Sequence, residues 1–252
     1  MSPLSTHGLS IGYGTPLFSG LNLQLEAGRL TSLLGLNGAG KSTLLRTLSG
    51  LQAPLSGSVR IFGKDIACYT RAQRAMLLGL VLTDRNSAGG LTVYELVSLG
   101  RHPHTDFLGR MKEADHAAVS RALEALGMAR HADRFLSDLS DGERQKAFIA
   151  KALAQECPII VLDEPTAFLD ITSRIETMDM LHRLAEEQQK TVLLSTHDLD
   201  TAIRFSHCLW IADAQSGSIV SGACPSIASE GCFERIFGSK VAEMVAYSAK
   251  GK

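Results

Sequence analysis

Long apolar runs are missing from this chain of 252 residues. The longest nearly apolar stretch, residues 75–82, falls well short of the roughly 20 residues that a bilayer-spanning helix needs. No basic segment followed by an apolar one opens the chain, whose first Lys or Arg is Arg29, so the expectation is a protein made and kept in the cytosol. Excess charge is missing too. The 25 Lys and Arg against 26 Asp and Glu leave a formal net charge of −1, which gives no reason to expect a polyanion-binding surface, and nucleic acid is not an expected partner. Cysteine is sparse and unpaired in pattern: Cys68, Cys157, Cys208, Cys224 and Cys232 are odd in number and widely spaced. With no C-x-x-C among them, neither a disulfide framework nor a zinc site is expected. Internal repeats, low-complexity tracts and long heptad runs are absent as well. The length suits one α/β domain with a subdomain and a substantial buried core.

What is present is concentrated in short motifs. Residues 35 to 43 read Gly-Leu-Asn-Gly-Ala-Gly-Lys-Ser-Thr, a full match to the G-x-x-x-x-G-K-[ST] phosphate loop, between the apolar strand expected over residues 30–34 and a helix starting near Lys41. The loop backbone of Asn37, Gly38, Ala39 and Gly40 closes round phosphates, Lys41 reaches the β and γ oxygens, and Thr43 follows in the first helical turn. The helix points its positive end at the same anion. Ser42 is the expected Mg²⁺ ligand, and the chain is expected to bind a nucleoside triphosphate.

Further apolar runs at residues 77–82, 159–162 and 192–194 read as strands buried on both faces of a parallel sheet, with helical stretches between them. Ahead of the phosphate loop, the period-two alternation from Leu21 predicts an antiparallel strand pair, and residues 56–63 a further short strand. Strand signals then give way to helical ones: Thr92 to Glu95 and Ser140 to Glu143 are capping-box patterns, and a helix over 113–126 ends at Gly127. The run 159–162 delivers Asp163 and Glu164 at a strand end, where open α/β sheets bind ligands. Asp163 suits Mg²⁺, and Glu164 suits orienting or deprotonating an attacking water.

These residues carry a family resemblance. Leu139-Ser-Asp-Gly-Glu-Arg-Gln145 looks like the signature of ATP-binding cassette (ABC) ATPases, Asp163-Glu-Pro-Thr-Ala-Phe-Leu-Asp170 resembles their Walker B and D-loop segment, and Ser195-Thr-His197-Asp their switch histidine. The resemblance implies an α/β fold: a P-loop NTPase (RecA-like) core with an antiparallel β subdomain at its N-terminal end (1–83 and 157–220), an inserted helical subdomain (84–156) and a C-terminal appendage (221–252). It implies a head-to-tail homodimer sandwiching two ATP molecules with Mg²⁺, each ATP between one subunit's phosphate loop and the other's Ser140 and Gly142, with Asp170 nearby. Glu164, His197 and Lys41 become catalytic, His197 through the γ-phosphate, and Tyr13 becomes the aromatic that stacks on adenine. Without the resemblance Tyr13 reads equally well as a turn aromatic, and His197 as a satisfied polar residue after a buried strand.

Two departures stand out. The family's usual Gln at the end of the strand after the phosphate-loop helix is replaced by Thr83, a shorter candidate for contact near the metal, with Asp84 beside it. The signature carries Asp141 and Glu143 where Gly and Gln are commoner. Added negative charge beside a triphosphate is unfavourable unless both side chains turn away, and the capping pattern offers Glu143 a backbone partner.

Within the family, Leu99-Gly-Arg-His-Pro-His104 and the 166–170 run are similar to ATPases of importers for iron–siderophores, haem and cobalamin. That similarity implies a peripheral subunit on the cytoplasmic face of the cell membrane, integral membrane permease partners, and an extracytoplasmic substrate-binding protein acting indirectly. The helical insert and residues 83–85 are the expected docking surface. The alternatives are the ATPase of another ABC transport system, for lipid or another metal, a soluble non-transport ABC ATPase, and a non-catalytic nucleotide-dependent module. His102 and His104 lack a third ligand in the sequence and read as a surface loop.

Overall fold

The computed structural model describes residues 2–82, 90–224 and 232–239. Two sheets and two groups of helices make up the fold. The first sheet is antiparallel: β1 (Leu4–Tyr13) pairs with β2 (Thr15–Leu21), with the two-residue β3 (Gln24–Leu25) and with β5 (Ser56–Ile61), which carries β6 (Lys64–Asp65) on its far side. The second holds β4 (Leu30–Leu34), β7 (Leu78–Val81), β8 (Ile159–Leu162), β9 (Thr191–Thr196), β10 (Cys208–Asp213) and β11 (Ser218–Ala223), in the order β11-β10-β4-β9-β8-β7. All its pairs are parallel except the β10–β11 hairpin at one edge.

Register decides what this sheet can do. Leu34 pairs with Thr196, and Leu162 with Leu194 and Val81, so β4, β8 and β9 end along one edge. The segments that follow them are the phosphate loop, Asp163-Glu164 and His197. Helix α1 (Lys41–Leu48) starts directly after the loop. Its Leu44, Leu45 and Leu48 are fully buried in the core shared by the two sheets, beside Ile11, Phe18, Val161 and Trp210. Each such leucine contributes about 2 kcal/mol by leaving water, and together they hold the loop against the sheet edge.

The opposite face of the parallel sheet is covered by α3 (Val93–Ser98), α4 (Glu113–Ala125), α5 (Asp141–Ala154) and α6 (Ile171–Gln188), which share one core with Leu30, Ile160, Leu162 and Val192. Thr92 and Ser140 both form the capping boxes that their sequences foretell. Helix α4 stops at Ala125, and Gly127 takes a left-handed φ of 64°. Helices α2 (Arg71–Leu77) and α7 (Leu199–Phe205) flank the sheet ends, and a short α8 (Cys232–Phe237) lies last.

A dense joint ties the C-terminal end of α5 to its surroundings. Arg101, 5% exposed, donates from Nε to Asp115 Oδ1 at 2.9 Å and from Nη1 to the Ala154 carbonyl and Glu156 Oε2, both at 2.7 Å. His104 Nε2 donates to the Gln155 carbonyl at 2.9 Å. The Gln155 side chain in turn donates to the carbonyls of Ala75 and Leu78, which fastens α5 to α2 and β7. Gly100 lies so close to α5 that a Cβ there would stand 2.2 Å from the Lys151 carbonyl. The 99–104 stretch is therefore an anchor, with Leu99 and His102 left exposed.

One boundary moves. The appendage expected from residue 221 begins inside β11, whose pairing with β10 continues to Ala223. As an edge strand with only a half-buried face, Ser218–Ala223 lacks the apolar density that marks a central strand. The junction expected at 83/84 lies outside the described residues.

Candidate functional site

A cavity of about 740 Å³ opens along the strand-end edge, lined by Tyr13, Leu17, residues 37–43, Glu164, Ala167, Phe168 and His197. Gly40 takes a φ of 91°, left-handed, so that the loop amides turn inward before α1 starts; a side chain there would be strained. Lys41 is 6% exposed and spans the cavity floor. Its Nζ donates to the carbonyls of Gly35 at 2.8 Å and Leu36 at 3.3 Å and lies 3.4 Å from Glu164 Oε1. Tyr13 stands at the tip of the β1–β2 hairpin, 66% exposed. A Cβ on the preceding Gly12 would overlap the Thr15 carbonyl, so the turn that presents the ring depends on that glycine.

Glu164 sits at a φ of 48°, an uncommon conformation for a residue with a side chain. Its carboxylate can only accept, so His197 Nδ1 donates to Oε2 at 2.8 Å. Ser195 holds the pair of acids together: its hydroxyl donates to Asp163 Oδ1 at 2.6 Å and accepts from the Glu164 amide at 2.9 Å. Asp163, 5% exposed, thus lies just behind the cavity wall. Ser195 was not among the residues expected at the site, nor were Leu17, Ala167 and Phe168. The contiguous Ser195-Thr-His motif contains Ser195 but does not reveal its bonds, since both its partners are more than 30 residues away.

The remaining candidates gather elsewhere. Ser140, Gly142 and Asp170 are absent from the cavity lining and sit beside one another on a second surface. Asp170 caps α6, accepting from the Ser173 amide at 3.0 Å and the Ser173 hydroxyl at 2.7 Å, bonds that hold its carboxyl below the usual range, the amide first. A Cβ on Gly142 would meet that same Ser173 hydroxyl at 3.0 Å. Thr83 and Asp84 lie outside the described residues.

The model of the ABC transporter family matches residues 18–167, more than half of the chain. This chain is an ABC ATPase. It is 39% identical over 238 residues to the iron(3+)-hydroxamate import ATP-binding protein FhuC of Bacillus subtilis (strain 168), covering 94% of this chain and 88% of the relative. The ferric enterobactin transport ATP-binding protein FepC of Escherichia coli (strain K12) is 39% identical over 231 residues, 91% of this chain and 85% of its own. Among solved structures, the dimeric structure of a bacterial ABC transporter cassette superposes with a TM-score of 0.76 at 26% identity, over 88% of this ABC ATPase and 98% of that chain.

A second polar cluster on the ABC ATPase has a structural explanation. His182, Glu186 and His207 come within reach of one another, the two rings stacked with centroids 4.7 Å apart. His207 Nδ1 accepts from the Leu30 amide at 3.0 Å, so its Nε2 carries the ring proton and donates to Glu186 Oε1 at 3.3 Å. That nitrogen has no lone pair left for a metal. Burial holds His207 below the ordinary imidazole range, with Glu186 opposing. The cluster pins the start of β4. No helix among the described residues is long and apolar enough to cross a membrane.

Proposed function

We propose that this ABC ATPase is the ATP-hydrolysing, peripheral subunit of an importer at the cytoplasmic face of the cell membrane, for iron–siderophore, haem or cobalamin cargo. The observation that carries the mechanism is the split of the candidate residues between two surfaces of one chain. The cavity holds the groups that bind a triphosphate, while Ser140, Gly142 and Asp170 lie outside its lining, so a second copy in head-to-tail arrangement completes each site. The α5 and α1 helix starts then bring two positive ends to one γ-phosphate.

In this reading Asn37 to Thr43 cradle the phosphates, and Lys41 turns from the Gly35 and Leu36 carbonyls to their oxygens. Ser42 and Asp163 are hard oxygen donors of the kind Mg²⁺ takes, with Ser195 orienting the carboxylate; the ion would neutralise charge on the β and γ oxygens. Glu164 accepts a proton from the attacking water, and His197 holds Glu164 in place from one side while reaching the γ-phosphate. Tyr13 stacks on the base. Tyr13→Ala is expected to raise KM for ATP about tenfold, as the loss of one base–aromatic stack does, whereas Tyr13→Phe keeps it; steady-state ATPase assays decide this.

The cargo assignment follows the relatives FhuC and FepC, and an importer of that class works with two permease subunits fed by an extracytoplasmic binding protein. The helical subdomain offers the permease a rigid apolar tip. Phe107 is fully exposed and Leu108 is 65% exposed, in a turn whose Leu108 and Arg110 amides both bond Asp106 Oδ1 at 2.9 Å. Detergent pull-down of the tagged chain from its native membranes, with mass spectrometry, is expected to recover a multi-span permease in equal copies, and Phe107→Asp/Leu108→Asp to lose it. Recovery of soluble partners alone, with full ATPase activity, would overturn the importer assignment.

A further inference from the structure

Ser140 is already engaged within its own chain. Its hydroxyl accepts from the Glu143 amide at 3.3 Å, and the Glu143 carboxylate returns two contacts, taking both the Ser140 amide and the Ser140 hydroxyl on Oε2 at 2.9 Å. A serine hydroxyl carries one proton. While that proton is given to Glu143, it cannot be given to a phosphate. The other carboxylate oxygen, Oε1, lies 3.9 Å from Arg134 Nη1, so a guanidinium faces the acid on that side; His131 Nε2, at 3.5 Å, accepts from Arg130 Nε at 3.0 Å and offers Glu143 no proton. The Ser140 amide bond leads in keeping its carboxyl below the usual range. The neighbouring acid, Asp141, is 3.5 Å from Arg144. A full negative charge thus sits one hydroxyl away from the point where the facing subunit's triphosphate must arrive.

We propose that Glu143 is a positioning residue that withholds the Ser140 hydroxyl until the triphosphate of the facing subunit takes it over, and so sets the ATP concentration at which two subunits close. This rests on the two-copy reading above. Closure then has two electrostatic requirements: the hydroxyl proton must turn from carboxylate to γ-phosphate, and two like charges must be brought together. A glutamine at 143 removes the second and weakens the first, because its amide oxygen still accepts from the Ser140 amide and hydroxyl and leaves the cap in place.

The test uses Glu164→Gln to block hydrolysis and follows ATP-induced dimerisation by size exclusion with light scattering. Adding Glu143→Gln is expected to lower the ATP midpoint about tenfold at roughly 50 mM salt, with the gap closing as salt rises to about 500 mM, since only a charge effect is screened in that range. Glu143→Ala, which frees the hydroxyl altogether, shifts the midpoint in the same direction. Equal midpoints with and without the carboxylate overturn the proposal while leaving the dimer intact. Failure of Glu164→Gln itself to dimerise at any ATP concentration overturns the two-copy reading beneath it, and this proposal with it.

Discussion

Glu164→Gln is expected to lower ATP turnover by about a thousandfold, within the range that a positioned general base contributes, while ATP binding persists. The amide fits the same space and can still accept from His197 Nδ1, which donates to the carboxylate at 2.8 Å. What it loses is the capacity to take a proton from water. The groups assigned to the triphosphate keep contacts of their own: Lys41, although 3.4 Å from Glu164 Oε1, donates to the Gly35 and Leu36 carbonyls, and the loop amides belong to the backbone. Binding and hydrolysis therefore come apart, and the ATP-bound dimer accumulates. Phosphate release measured at saturating ATP, with size exclusion of the same sample, reads both halves. Retention of more than about a tenth of wild-type turnover would remove Glu164 from the role of base.

Arg101→Ala is expected to be among the most destabilising single substitutions in the chain, at about 3–5 kcal/mol, because it leaves a buried carboxylate without its partner. Asp115 is 3% exposed, and the Ala154 carbonyl and Glu156 would lose their donor as well. Arg101→Lys recovers little, since an ammonium cannot reach three acceptors in one plane. The pH dependence follows from the direction of the Asp115 shift. The Lys112 amide bond, then the Arg101 contacts, hold its carboxyl below the usual range against the opposing effect of burial. A depressed acid stabilises the fold fully above its unfolded value and loses that contribution as pH falls through the folded one, so the loss lies below about pH 4. Urea denaturation of wild type and variant at neutral pH and at pH 3 tests this. A difference under about 1 kcal/mol at neutral pH, or one that grows on acidification, contradicts it.

Much of the site can be read in the sequence because a phosphate loop, a strand-end acid pair and a signature are each contiguous, their chemistry requiring residues within a few positions of one another. The same locality explains the central strands, whose apolar runs at Leu30–Leu34 and Ile159–Leu162 need no partner to be recognised. Contacts made by folding stay hidden. Nothing in the spacing tells that Ser195 will bridge Asp163 to the Glu164 amide, or that Arg101 will meet Asp115 and Glu156. Strand β1 is masked by Gly8, Gly12 and interleaved serines, since its burial comes from register against β2 and β5 and not from composition. The β10–β11 hairpin is masked in the same way by its solvated edge. His102 and His104 share a short motif, yet one is exposed and the other bonds the Gln155 carbonyl.

That last joint has a mechanical meaning. Helix α5 runs 14 residues from the Ser140 cap to Ala154, about 21 Å at 1.5 Å per residue. Its far end is riveted through Arg101 and His104 to the 99–104 stretch and α4 and through Gln155 to α2 and β7, a geometry that would let the helix act as a lever with its fulcrum at that end. A tilt of about 10° at that fulcrum sweeps Ser140 through roughly 3–4 Å over that length. That distance is on the scale of one hydrogen bond made or broken. A push small enough to leave the hydrophobic core intact would thus be amplified at Ser140, the residue proposed above to meet the facing triphosphate.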